Sequence, residues 1–529
     1  MLDRLLLALP LVALASTARA ELGPSVLVLP FESTGRPIGD SGYVLQLAAV
    51  GTVRALGTLG EIHQKMQYRV VQQAELRLAE LTSDQRRRAI AAGLGARFIV
   101  LGELAQSPES SLLTLSVIPA RDEKGAPVIS ETVEGKDLPS LVSGVASKLP
   151  GMLAKAGAIQ EPKLDPTLVS PSTRVPGALV EYGACSKALL EQPIGMLYPV
   201  VLDQGTLDQA AEHCSTALAL DKDFVEAEAA LALIDALAGR TRRAEQRFAK
   251  LSSAKIFLPE LAVAKFWVLS RGYGTEEAIK SLEAEVVAHP SFLLGRGYLG
   301  DAYSAIKDYD QAIRVFTEYL AAVPEQPWVM ARIGYNHAKK GDVEVAIDWT
   351  QRALKVAPSD PEILLELGSR LIDAKRPKDA ITIFRRVVAD GGARGEVHLR
   401  LGFAYFLVGE HGLAERSFHD AIRLASAPSE WRTRGRARYD LAKLWMKFDA
   451  PENALRHVRE ALDEGFRDPA VFTSDPDLSK LANNAEFKKL MKATAKPARR
   501  PPQLSPFEVE AATGEQKAEK THAKKKVPF

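Results

Sequence analysis

The apolar run Val26-Leu27-Val28-Leu29 feeds a glycine-rich segment, ESTGRPIGDSGY (residues 32–43), after which a helical pattern begins. A strand, a glycine-rich turn and a helix N-terminus in that order can hold a phosphate, because free backbone N–H groups and the helix dipole both favour an anion. A phosphate loop also needs a lysine and a Ser or Thr at the helix start. This segment has no lysine, and Gly35, Gly39 and Gly42 do not fall in the G-x-G-x-x-G spacing. Asp40 would repel a phosphate, and Asp40 and Ser41 suit a helix N-cap. The segment therefore reads as a structural turn rather than a nucleotide site.

His411, Glu415 and His419 recur every four residues, so they share a helix face and could ligate zinc. A solvated outer face accounts for them more simply. No H-E-x-x-H, G-x-S-x-G or paired C-x-x-C occurs, so protease, hydrolase and redox chemistry have no anchor. No catalytic residue, metal or cofactor is assigned, and the chain reads as non-enzymatic. Cys185 and Cys214 are the only cysteines. They can pair in an oxidising compartment, or serve as two small buried apolar residues on helices, and the spacing fits both.

Residues 1–20 hold Arg4, an apolar run from Leu5 to Ala15, and Ala18-Arg19-Ala20. That is the pattern of a secretory signal peptide cleaved after Ala20, and it predicts an exported protein, periplasmic or extracellular. The apolar run is too short to span a bilayer, and no later stretch supplies the roughly 18 uninterrupted apolar residues a span needs. No cysteine follows the signal core, so a lipid-anchored N-terminus is not expected. With 68 Lys and Arg against 66 Asp and Glu, the chain lacks the basic bias of a nucleic-acid binder.

At 529 residues the chain exceeds one hydrophobic core. Alanine occurs at 210, 244, 278, 312, 346, 380 and 414, a constant spacing of 34, and Ala454 follows after 40. Four residues after these come Cys214, Phe248, Leu282, Phe316, Thr350, Phe384, Phe418 and Val458. Twelve residues before them lie Tyr198, Ala232, Phe266, Gly300, Gly334, Gly368, Gly402 and Ala442. In IGYNHAKKGDVEVAIDWTQRALKVAPSD, Gly341 breaks two helical segments and Pro358 ends the second. Each period is thus a helical hairpin whose apolar face only the next hairpin can cover, so stacking builds a solenoid.

These columns resemble the tetratricopeptide repeat family, most clearly in YLGDAYSAIKDYDQAIRVFTEYLAAVP and HLRLGFAYFLVGEHGLAERSFHDAI. The resemblance implies a superhelix whose first helices line a concave groove for protein partners. Carried onto this register, the groove positions are Trp267, Arg271, Trp328, Tyr335, Lys339, Phe403, Phe406, Tyr439, Lys443 and Lys447. Aromatic and cationic side chains of this kind anchor peptides, although packing between helices would use the same residues. The asparagine-and-lysine clamp that some members use for a chain-end carboxylate has no counterpart, since Asn336 falls one position off. Thr350 departs from the family by standing where an aromatic is usual.

Ahead of the repeats the pattern changes to alternating strands and helices. VLVLPF, YRVVQQ, RFIVLGELAQ, LLTLSVIPA and PVISETVEG read as strands, and YVLQLAAVGTVRALGTLG, AELRLAELTSDQRRRAIAAGLGA and LPSLVSGVASKLPGMLAKAG as helices, in the order β-α-β-α-β-β-β-α. The stretches VLPFESTG, AAGLGARFIVLGEL, LLTLSVIPARDEKG and ETVEGKDLPSL resemble the amino-terminal domain of TolB and related curli-secretion domains. That resemblance implies an envelope location and protein contacts.

The expected organisation is a multidomain chain, an α/β (α+β) sandwich followed by an all-α superhelical solenoid of about eight or nine hairpins. Its parts are a signal peptide (1–20), the TolB-like domain (21–157), a linker (158–176), the repeats (177–468), a cap (469–495) and a disordered basic tail (496–529). The tail carries Lys517, Lys520, Lys524, Lys525 and Lys526, which solvate it or touch an anionic surface peripherally. The function expected is a scaffold binding protein or peptide partners in the cell envelope. The competing expectation is a small-ligand-binding or regulatory subunit that uses the N-terminal domain for a nucleotide or a cell-wall fragment.

Overall fold

The computed structural model describes residues 23–29, 31–34, 40–56, 59–61, 87–88, 90–91, 94, 96–106, 110–120, 128–160, 164, 171–191, 204–252, 257–324, 326–392, 394–427 and 430–494. The signal peptide, the YRVVQQ strand (68–73), most of the helix expected over 74–96, Tyr198 and the basic tail lie outside the described residues.

The described residues of the N-terminal domain form a six-stranded sheet with helices. Strands β1 (Gly23–Val28), β2 (Glu32–Thr34), β3 (Leu59–Glu61), β4 (Phe98–Gln106), β5 (Ser111–Pro119) and β6 (Ile129–Gly135) take the order β3-β1-β4-β5-β6, with β2 alongside β4. The pairs β1/β3, β1/β4 and β2/β4 are parallel, and the hairpins β4/β5 and β5/β6 antiparallel. Side chains of β1 alternate between two cores, as a strand buried on both faces requires. Val26 and Val28 point to helices α1 (Asp40–Ala55) and α2 (Leu138–Lys155), while Leu27 and Leu29 pack with Ile90, Ala91 and Leu94 on the other face. One boundary is corrected. The helix read as continuing to Gly60 ends at Ala55, and Leu59–Glu61 forms β3, because an edge beside β1 gives those backbone groups parallel partners.

Among the described residues, eight helical hairpins follow. They are α3 (Pro176–Glu191) with α4 (Gln204–Leu220), α5 (Val225–Leu237) with α6 (Thr241–Leu251), and α7 (Pro259–Gly272) with α8 (Thr275–Ala288). Then come α9 (Leu293–Ala305) with α10 (Tyr309–Ala322), α11 (Pro327–Lys340) with α12 (Val343–Val356), and α13 (Pro361–Asp373) with α14 (Pro377–Ala389). Hairpin 7 is α15 (Gly395–Leu407) with α16 (His411–Leu424), and hairpin 8 is α17 (Trp431–Lys447) with α18 (Pro451–Asp463). A short α19 (Pro469–Ser474), a 3-10 turn (Ser479–Asn483) and α20 (Ala485–Thr494) cover hairpin 8 through Phe472, Leu478, Leu481 and Phe487. No helix among the described residues is long and apolar enough to cross a membrane.

The 34-residue columns have a direct physical cause. Ala210, Ala244, Ala278, Ala312, Ala346, Ala380, Ala414 and Ala454 are all 0% exposed, at the contact of the two helices of each hairpin. The glycine and phenylalanine columns are one device, in which a ring from the second helix lies on the bare backbone of the first. A Cβ at Gly300, Gly368 or Gly402 would come within 2.5, 2.2 or 2.7 Å of Phe316, Phe384 or Phe418. Hairpin 5 solves the same problem with a smaller partner. Thr350 replaces the aromatic, and a Cβ on Gly334 would meet Ala346 O and Thr350 Oγ1, each at 2.9 Å. At the turn inside that hairpin Gly341 takes φ +96°, a conformation that favours glycine.

The interface between hairpins 7 and 8 carries a pH-sensitive element. His457 on α18 is buried, with its Nδ1 3.0 Å from Glu460 Oε2 and its ring against exposed His419 of α16. Burial lowers its pKa below 6.5; Glu460 opposes that shift, Arg456 and His419 reinforce it, and Arg438 also pairs with Glu460. A histidine whose folded pKa is depressed binds protons more readily when unfolded. Its contribution is complete above about pH 6.5 and is lost as pH falls toward the lower folded value. The thermal midpoint is therefore expected to drop between pH 7.5 and 5, and to drop less in His457→Gln. Equal drops in both proteins would assign the acid sensitivity elsewhere.

Candidate protein-binding face

The first helices of the hairpins carry the ten expected groove residues, and the structure separates them into three groups. Trp328 and Tyr439 are corrected as exposed anchors. Trp328 is 5% exposed and wedges edge-on against Phe316 and Tyr319 of the preceding hairpin, so its ring fills the inter-hairpin core. Tyr439 is 4% exposed, packed on Phe466 and on Phe472 of the cap.

A second group is accessible in part but already committed. Arg271 donates to the carbonyls of Ala236 and Leu237, capping the C-terminal end of α5, and stands 5.7 Å from the centroid of half-buried Trp267. Lys443 pairs with Asp475 at 3.1 Å and with Asp477 at 3.7 Å, and Lys447 pairs with Asp477. Both ammonium groups also lie over the ring of Phe406, at 5.7 and 5.8 Å.

The third group remains open. Tyr335 is half-buried, Lys339 is exposed, and Phe403 is half-buried against the core of hairpin 7. Three cations surround the Tyr335 ring: Arg332 and Lys339 at 5.3 Å each, and Arg370 from the next hairpin at 6.0 Å. Burial raises the Tyr335 pKa, with Arg332 opposing, so the phenol is a hydrogen-bond donor at neutral pH.

Residues that the repeat register did not single out hold this face together. Asp301 on α9 accepts from Arg332 Nε on α11 at 2.7 Å, and burial pushes its pKa up to about 6 against the pull of Arg332. Asn336 is 0% exposed, accepting from Ser304 Oγ at 2.8 Å and donating to Arg332 O at 2.8 Å, so burial closes it to a ligand. Arg400 donates to Ser369 from hairpin 7 to hairpin 6. The signal for these was present as polar pairs 31 or 32 residues apart, just short of the repeat period.

The first hairpins are covered by the chain's own N-terminal domain. Helix α1 packs on α3. Tyr43 is half-buried near Tyr182 and Glu260, and those neighbours add to burial in raising its pKa. Leu47 packs against the core of the early hairpins, and Leu179 of α3 belongs to the core of the N-terminal domain. Farther along, Gln326 donates to Leu94 O. Contacts with the N-terminal domain thus reach the start of α11, and beyond that point Tyr335, Lys339 and Phe403 lie on the first helices of hairpins 5 and 7.

The remaining sequence candidates fall elsewhere. Residues 35–39 of the opening segment lie outside the described residues, and α1 starts at Asp40. A shallow polar cavity on the sheet is lined by Glu32, Arg87, Glu103, Thr114 and Ser116, with Arg87 paired to Glu32 at 3.0 Å. His411 packs against Phe406 and Phe448, whereas His419 faces His457, so the two histidines serve different neighbours. Among the described residues no three His, Cys, Asp or Glu side chains converge on a metal position. Cys185 of α3 and Cys214 of α4 form a disulfide.

Residues 270–327 and 331–396 match a family model described as a tetratricopeptide repeat, so this part of the solenoid is built of such repeats. Among solved structures, MamA from Desulfovibrio magneticus RS-1 is 19% identical over 32% of this chain and 94% of its own, with a TM-score of 0.28. A thermophilic tetratricopeptide repeat protein from Thermus thermophilus is 18% identical over 38% of this chain and 98% of its own, TM-score 0.30. A tetratricopeptide repeat protein from Parabacteroides merdae is 13% identical over 49% of this chain and 98% of its own, TM-score 0.36. No curated protein sequence matches the chain.

Proposed function

We propose that this protein is an exported, non-enzymatic scaffold of the cell envelope that binds protein partners on the first-helix face of hairpins 5 to 7. The observation that carries the reading is the division of that face. Its early part is packed by α1 and its end is tied to the cap, while between them Tyr335, Lys339 and Phe403 present aromatic and cationic groups, and neither Tyr335 Oη nor Lys339 Nζ has a hydrogen-bond or ion-pair partner among the described residues. Tetratricopeptide repeats in general are non-enzymatic protein-binding modules, which supports the same reading. Export is supported by the pattern of residues 1–20 and by the Cys185–Cys214 disulfide, a bond that persists in oxidising compartments. The resemblance of the N-terminal stretches to TolB supports an envelope setting.

The test is capture. Immobilised protein beginning at Glu21 is expected to retain specific proteins from an envelope extract, with retention several-fold lower for Phe403→Ala. Trp328→Ala and Tyr439→Ala are expected to lower the unfolding midpoint, as core truncations do. Retention that survives Phe403→Ala intact would place the binding surface elsewhere.

A further inference from the structure

Two first helices carry the same eight-residue pattern, Arg-x-x-Tyr-x-x-Ala-Lys. It occurs as RIGYNHAK at 332–339 on α11 and as RARYDLAK at 436–443 on α17. The geometry repeats too. Arginine lies over the tyrosine ring at 5.3 Å in the first and 5.0 Å in the second, and lysine at 5.3 and 5.5 Å. The patterns sit one helical turn apart in the repeat register, on the same stripe of the helix, because residues four apart share a face.

What differs is the occupant. On α17 the cap supplies a carboxylate: Tyr439 Oη donates to Asp475 Oδ2, and Lys443 Nζ lies 3.1 Å from the same oxygen. Although its partial burial works against ionisation, Asp475 is held below the usual carboxylate pKa by Tyr439 and Lys443. Asp477, two residues on, pairs with Lys443 and Lys447. On α11, Tyr335 Oη and Lys339 Nζ have no hydrogen-bond or ion-pair partner among the described residues.

A second observation points to the same place. Arg370, 6.0 Å from the Tyr335 ring, is 9% exposed, and its Nε is buried without a hydrogen-bond acceptor. Arg370 is ion-paired with Glu366 at 3.5 Å and Asp373 at 3.6 Å, both beyond normal hydrogen-bond distance, so the pairing leaves its Nε donor, and Glu366 Oε2 beside it, without a hydrogen bond among the described residues. Asp301 is engaged by Arg332. A buried guanidinium with an unused donor is costly unless a ligand completes it.

We infer that Tyr335, Lys339 and Arg370 form a receptor for an acidic side chain of a partner protein, presented in an Asp-Pro-Asp-like turn of the kind that Asp475–Asp477 presents to hairpin 8. Tyr335 Oη and Lys339 Nζ take one carboxylate, and Arg370 assists as Lys447 does in hairpin 8. This rests on the protein-binding reading above and names the chemistry that the face accepts.

The chain supplies its own probe. A synthetic peptide with the sequence of residues 469–482, PAVFTSDPDLSKLA, amidated at its C-terminus so that its only carboxylates are side chains, is titrated calorimetrically into the full protein. Saturable binding is expected, at least tenfold weaker for Tyr335→Phe, Lys339→Gln and Arg370→Gln, and at least tenfold weaker for the peptide with both aspartates replaced by asparagine. Tyr335→Phe keeps the ring and its stacking, so it separates loss of the donor from loss of the fold, and circular dichroism verifies the others. Absence of binding, or equal binding of the asparagine peptide, would overturn the inference, as would an unchanged affinity of Tyr335→Phe and Lys339→Gln. Envelope proteins retained by wild type and by Lys339→Gln alike would defeat this site while leaving the scaffold reading standing.

Discussion

Phe384→Ala is expected to lower the free energy of unfolding by about 3–5 kcal/mol, read from the denaturant midpoint at unchanged slope. The ring is 0% exposed on α14 and lies so close to Gly368 of α13 that a Cβ there would stand 2.2 Å from Cε1. It shares a cluster with Leu364, Leu367 and Leu371 of its own hairpin and with Val397 and Leu401 of hairpin 7. Truncation therefore opens a cavity at two contacts at once, the one inside the hairpin and the one that stacks it on the next. The reverse substitution tests the same geometry. Gly368→Ala would be favourable by about 1 kcal/mol on helix propensity alone, yet overpacking against a ring held on all sides costs about 1–3 kcal/mol. Net destabilisation is expected, and Phe384→Leu on the Gly368→Ala background should cost less than on wild type, since the smaller side chain frees the space. Strictly additive effects would show that the two residues do not share that contact.

The same pair shows how much of the array was legible in the sequence. Helix contact demands a small residue on one side and a large one on the other, and the demand recurs each period, so the columns at Gly368, Ala380 and Phe384 reveal the hairpin directly. Even Thr350, a departure from the repeat pattern, becomes explicable once Gly334 is seen against the Ala346 carbonyl. The face was less legible because register fixes which stripe a residue occupies and not what lies opposite. Trp328 sits on the stripe but turns into Phe316 and Tyr319, and Tyr439 meets a cap whose residues 472–477 belong to no repeat. The seating of α1 on α3 was not legible at all, since it joins segments that share no period. Strand β3 escaped because three residues after a helix carry too little alternation to signal a strand, and only pairing with β1 defines it.

Loss of the disulfide is the other large effect. Replacing both Cys185 and Cys214 by alanine, or reducing them, is expected to destabilise the region by about 3–4 kcal/mol on the chain-entropy model for a loop of roughly thirty residues. The bond ties α3 to α4 across a separation of 29, and both residues are 0% exposed, so a reductant acts on the opened hairpin rather than on the folded one. The consequence reaches beyond hairpin 1, because α3 also carries Leu179 into the core of the N-terminal domain and packs on α1. In a solenoid each hairpin draws stability from its neighbours, so a local loss need not spread evenly. Hydrogen exchange should therefore show protection falling over α1, α3 and α4, with hairpins 5 to 8 little changed and the acidic peptide still bound at Tyr335. An equal fall along the whole array would show that domain and solenoid open as one cooperative unit, and that hairpin 1 sets the stability of the distant face as well as its own.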